Sequence, residues 1–137
     1  MNTRHTPSLE LCQELDRLCK EKNITLPETE FYWKVGKASG HANLTTDKPD
    51  LENWTKTDDG FDWYHAPLVS EQGEWFPEYL MIRGKRYLPK QQQVGVRRYY
   101  SYEYDEFNLI IQGGKGEPNA RQKMINYLIA EGIITTL

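Results

Sequence analysis

Leu11, Cys12, Leu15, Leu18 and Cys19 recur at three- and four-residue spacing, while Glu10, Glu14, Arg17 and Glu21 fill the opposite positions. That period predicts an amphipathic helix over 7–22. Thr6 can cap it, Pro7 suits its first position, and Asn23 can close it in a left-handed conformation. Pro27 then prevents the helix from resuming. The run Glu30-Phe31-Tyr32-Trp33-Lys34-Val35 is rich in strand formers and stops at Gly36, so it reads as a strand. Residues 36–62 carry no sustained period and many turn formers, among them Gly40, Asn43, Pro49, Asn53 and Asp58-Asp59-Gly60. A structureless stretch this long is unusual in a compact domain. Short strands are therefore expected near Trp54 and over Phe61–Tyr64. Leu68, Val69, Gln72, Trp75 and Phe76 return to helical spacing between Pro67 and Pro77, which predicts a short helix over 67–76.

Tyr79–Ile82 and Arg86–Leu88 flank Arg83-Gly84-Lys85, which predicts a hairpin about Gly84. Pro89 and Gln91–Gln93 read as a polar break. Val94–Tyr102 and Tyr104–Gln112 read as two strands, with Asp105-Glu106 in a turn or bulge, and Gly113-Gly114-Lys115-Gly116 as a loop. Ala120, Met124, Ile125, Leu128 and Ile129 form the stripe of a last helix over 118–131. Asn119 and Gln122 suggest a capping box at its start, Gly132 stops it, and Ile133 can fold back on the stripe. Together these elements predict an α+β fold, with residues 1–137 as a single domain. An antiparallel sheet would carry the N-terminal and C-terminal helices on one face, with a short middle helix.

Length and composition agree with this: 137 residues can bury a core unaided, and 12% aromatics argue against disorder. A mean hydropathy of −0.78 means the apolar residues are gathered into few segments. No apolar run approaches the ~20 residues of a membrane span. The start, Met1 to Pro7, lacks the apolar core of a signal peptide. The expectation is a soluble cytoplasmic protein without a membrane partner. Within a helix over 7–22, Cys12 and Cys19 would lie about 10.5 Å apart along the axis. A disulfide needs Cα atoms within roughly 7 Å. Buried, reduced thiols are expected.

Charge changes the picture more than composition does. Residues 79–102 carry six basic side chains, five tyrosines and no acid, whereas 47–78 holds nine acids against Lys48 and Lys56. The net charge of −3 conceals this polarity. Reactive motifs are missing. With Gly60 set at the sixth position of a calcium loop, the twelfth is Ala66, where a bidentate Glu is needed. Gly113-Gly114-Lys115-Gly116 lacks the G-x-x-x-x-G-K-[ST] spacing of a phosphate loop, and Glu117 would oppose the anion. His5, His41 and His65 have no metal-ligand spacing, and no serine or cysteine sits in a hydrolase motif. No catalytic residue, metal or cofactor is expected.

The basic stretch remains as the candidate site: Arg83, Lys85, Arg86, Arg97, Arg98, Tyr99 and Tyr100. Guanidinium groups beside aromatic rings suit single-stranded nucleic acid, through phosphate contacts and base stacking. On a strand, however, Arg98, Tyr100, Tyr102 and Tyr104 share one face and Arg97 and Tyr99 the other. Tyrosines packed under a helix with arginines at the sheet margin account for the same residues. If the 80–88 hairpin lies beside the 94–102 strand, the five basic residues join in one patch.

Three segments together resemble small uncharacterised proteins encoded by phages and prophages. They are Glu28-Thr29-Glu30-Phe31-Tyr32-Trp33, then Ala66-Pro67-Leu68 with Glu74-Trp75-Phe76-Pro77, and then 120–129 with Glu131-Gly132-Ile133-Ile134. The resemblance implies an accessory role in a host cytoplasm and supplies no catalytic residues. The expectation is a non-catalytic protein acting through an unknown protein partner or as a homo-oligomer. The alternative is a nucleic-acid or nucleotide-binding module using 83–102.

Overall fold

The computed structural model describes residues 6–47, 60–104 and 107–137. The order is α1 (Leu9–Lys22), β1 (Phe31–Gly36), β2 (Ala42–Thr45), β3 (Phe61–Ala66), α2 (Val69–Trp75), β4 (Leu80–Ile82), β5 (Lys85–Val94), β6 (Arg97–Tyr104), β7 (Phe107–Lys115) and α3 (Glu117–Ala130). The fold is α+β, and all strand pairings are antiparallel. In place of a single sheet there are two, ordered β2-β1-β3 and β4-β5-β6-β7. Between β3 and β4 the chain leaves the ladder to form α2, bounded by Pro67 and Pro77, and β4 does not rejoin the first sheet.

Helix α3 packs across β6 and β7 and also meets α1 and α2, while α1 reaches β3 of the other sheet. The two terminal helices meet each other, and α1 also touches the small sheet. The core joins Leu15, Leu18 and Cys19 of α1, Trp75 of α2, Leu80, Tyr100 and Tyr102 of the large sheet, and Met124, Ile125, Leu128 and Ile129 of α3. Burial of this kind contributes on the order of 1.5–3 kcal/mol per large apolar side chain.

A ladder of amides runs beside that core. Gln72 Nε2 donates to Gln122 Oε1 at 3.1 Å and to the Pro118 carbonyl at 2.9 Å. Gln122 Nε2 donates to Asn126 Oδ1 at 2.8 Å, and Asn126 Nδ2 donates to the Leu11 carbonyl at 3.2 Å. Three fully buried amides thereby tie α2, α3 and α1 together. Burial of such groups is tolerated because most of their polar atoms find partners, although Gln72 Oε1 is buried without one.

The termini of the helices differ from expectation in instructive ways. Helix α1 starts at Leu9, with Ser8 as its N-cap residue, and Asn23 ends it with φ 58°. Asn119 does not open a capping box: its Oδ1 accepts from the Ser8 N–H at 2.8 Å, and α3 begins at Glu117. Ile134, not Ile133, returns to the core, being 5% exposed against 39%. The strand expected near Trp54 lies outside the described residues, and β2 forms where only a loop was expected. Among the described residues, no helix is long and apolar enough to cross a membrane.

Candidate functional site

Two tight turns and one long strand decide where the basic residues go. Arg83 (φ 53°) and Gly84 (φ 78°) form the whole connection between β4 and β5. Two successive positive φ angles are those of a type I′ turn, whose twist matches that of the strands. Gly95 (φ 63°) and Val96 make the next connection, so Val94 pairs with Arg97. β5 therefore runs unbroken from Lys85 to Val94, through Pro89 and the three glutamines that the sequence marked as a break.

The continuity of β5 separates the expected patch. Arg86 and the Val94–Arg97 pair stand eight residues apart on one strand, about 27 Å at ~3.4 Å per residue. Arg83, Lys85 and Arg86 sit at one end of the ribbon, and Arg97 and Arg98 at the other. The single cluster of five is not formed. Arg86 lies over the Tyr79 ring at 4.3 Å.

The two sheet faces also divide the residues. On the inner face, Tyr100 stacks on Phe76 with centroids 4.3 Å apart and 14° between the rings. Arg121 lies over the Tyr100 ring at 5.7 Å, and Tyr102 donates to the Pro77 carbonyl at 2.8 Å. Tyr100 and Tyr102 are buried, and that burial raises both phenol pKa values. Tyr100 thus serves the core and offers no platform for a base. Tyr99 lies on the outer face opposite Gly113, where an added Cβ would come within 2.7 Å of its ring. The ring fills the space that glycine leaves, as aromatic residues do across a strand pair.

What the outer face does present was not singled out from sequence. The register places Met81, Arg86, Leu88, Lys90, Gln92, Val94, Arg97 and Tyr99 on it. Met81, Leu88 and Val94 are 57%, 52% and 57% exposed. Arg86, Lys90 and Arg97 alternate with them, and all three are exposed. Lys90 pairs with Glu103 at 3.3 Å across the strands. The signal in the sequence was slight, because between Leu88 and Val94 this face of the run carries only Lys90 and Gln92.

Elsewhere the chemistry is quiet. Among the described residues, no group of His, Cys, Asp and Glu could hold a metal ion. Cys12 and Cys19 are free and buried, and burial raises both pKa values, that of Cys19 to about 11. Such thiols carry almost no thiolate at neutral pH. A cavity of about 240 Å³ opens beside β4, lined by Pro77, Tyr79, Leu80, Met81, Ile82 and Ile133. Another of about 270 Å³ is lined by Glu28, Glu71 and Glu74 with Pro27, Trp75 and Leu137. Glu71 is already engaged, accepting from the Leu68 and Glu30 amides. No family model matches the chain, and no curated protein or solved structure matches it significantly.

Proposed function

We propose that the protein is a non-catalytic accessory factor of phage or prophage type, which binds another protein through the outer face of β4, β5 and β6. The observation that supports this reading is the row of exposed Met81, Leu88 and Val94 interleaved with Arg86, Lys90 and Arg97. Apolar side chains supply affinity at an interface, and Met and Arg are enriched there. The row is basic on balance, with Glu103 its one acid, paired to Lys90, and Arg86 and Arg97 left to orient an acidic counterpart. Val96, 75% exposed at the turn, extends the apolar surface to the ribbon tip.

Nucleic acid is less well supported. Its stacking platform would have to be Tyr99, whose ring is committed to Gly113, because Tyr100 is buried. A photo-cross-linker at Val94, compared with one at exposed Lys123 on α3, tests the reading in cells of the native host. Protein adducts from Val94 that are absent from Lys123 are expected. Equal adducts from both positions, or none from Val94, would count against it. Fluorescence anisotropy with single-stranded DNA and RNA covers the alternative: salt-sensitive binding lost in Arg97→Ala would favour it.

A further inference from the structure

We infer that the free edge of β5, from Leu88 to Val94, accepts an extended acidic segment of another protein as an added strand. The inference rests on the binding face proposed above and specifies how that face is used. The two turns fix the direction of every β5 amide. A two-residue turn leaves its flanking residues as a hydrogen-bonded pair. Ile82 and Lys85 are such a pair, so the amides of Lys85 and Tyr87 point to β4. Val94 and Arg97 are another, so those of Leu88, Lys90, Gln92 and Val94 point to β6.

Pro89, Gln91 and Gln93 consequently direct their backbone groups to the side away from β6. β4 occupies that side only as far as Leu80, opposite Tyr87. Among the described residues, no strand pairs with β5 beyond it. The position of the proline agrees: it has no N–H to offer, and it falls where no ladder bond is made. Gln91 and Gln93 are exposed, and among the described residues no strand lies beside them on that side. Natural proteins blunt such edges with Lys, Pro, inward charges, bulges or a covering segment. Here Pro89 and Lys90 guard its start, and Gln91 to Val94 carry neither.

The side chains beside the edge define the occupant. Leu88 and Val94 stand at its two ends on the outer face, with Lys90 between them and Arg97 one strand behind. A complementary strand carries apolar residues opposite Leu88 and Val94 and acids opposite Lys90 and Gln92. A second copy of this chain would instead bring its own Lys90 and Arg97 to the same row. Nucleic acid has no ladder of amides to match Gln91 and Gln93. These features favour an acidic peptide in extended form, the mode known as strand addition.

The probe is the peptide Val-Thr-Glu-Thr-Glu-Thr-Val, which presents the same face in either direction, with a control in which Lys replaces Glu. Backbone amide exchange is followed by NMR on the full chain. In the free protein, the Gln91 and Gln93 amides should exchange faster than those of Lys90 and Gln92. The acidic peptide should slow Gln91 and Gln93 severalfold, and the lysine control should not. Gln91→Pro removes an amide that makes no bond to β6, so the variant should stay folded and lose the peptide. Lys90→Glu should weaken binding severalfold. Equal binding of both peptides, protection elsewhere only, or full binding by Gln91→Pro would overturn the inference. So would slow exchange at both residues in a symmetric dimer without peptide, or their protection by a single-stranded oligonucleotide. If Val94 cross-links a protein and Gln91→Pro leaves that adduct intact, strand addition fails and the binding face stands. If Val94 cross-links nothing, both fall.

Discussion

His65 is a base held where it cannot easily take up a proton. It lies on β3 opposite Tyr32, the rings 5.0 Å apart, and its Nδ1 is buried without a hydrogen-bond partner. Burial lowers its pKa from the usual 6.5, more than Asp16 and Glu28 raise it. The unfolded chain therefore binds the proton more readily than the folded one. Stability on this account is complete above pH 6.5 and is lost as the pH falls below it. Denaturant midpoints between pH 8 and pH 5 should drop less in His65→Gln than in the parent. An equal drop in both would assign the pH dependence to other groups. The cysteines make a second residue-scale case. With pKa values raised by burial, Cys12 and Cys19 should resist a thiol reagent in the native protein and react on unfolding. Fast labelling of either in native buffer would contradict that burial.

Among the elements, α3 is the one on which the others rest. Leu128 is 0% exposed in the cluster that joins α1, α2 and β6. Leu128→Ala should cost about 2–5 kcal/mol in chemical denaturation. Gln122→Ala breaks the amide ladder at its middle rung, depriving Gln72 and Asn126 of a shared partner. Each buried group left unpaired costs about 1–3 kcal/mol. A loss below about 0.5 kcal/mol would mean that water replaces the rung. The helices were legible in sequence because a one-sided apolar stripe has one explanation. The large sheet was less so. The run from Leu88 to Val94 has an open edge and two exposed faces at its far end, so no apolar alternation marks it. Pro89 reads as a break until its amide is seen to face away from β6. Val94-Gly95-Val96 looks like continuous strand because Gly95 reveals its turn only through a positive φ. β2, with Ala42-Asn43-Leu44-Thr45, owes its strand form to pairing with β1. The error in joining Arg83–Arg86 to Arg97–Arg98 followed from placing the turn wrongly.

For the molecule as a whole, charge polarity survives as a feature of one ribbon, and tyrosine clustering does not. Tyr100 and Tyr102 went to the core, as the sheet-margin reading of the sequence anticipated. The fold needs both ends of the chain, since Ser8 bonds to Asn119 and Leu11 to Asn126. Truncation before Asn119 should abolish a cooperative thermal transition. A cooperative transition in the truncated chain would show that the remaining elements can close a core without α3. The same two bonds join residues 111 and 115 positions apart. Every ladder of the large sheet, by contrast, joins a strand to its immediate successor. Closing short loops costs less entropy than closing long ones. The ribbon is thus suited to form early, and the docking of α1 on α3 to come late. In stopped-flow refolding, Gly95→Val should chiefly slow folding, while Asn126→Ala should chiefly speed unfolding. The surface assigned to the partner would then be the part of the chain organised first, present before the rest of the protein has closed around its core.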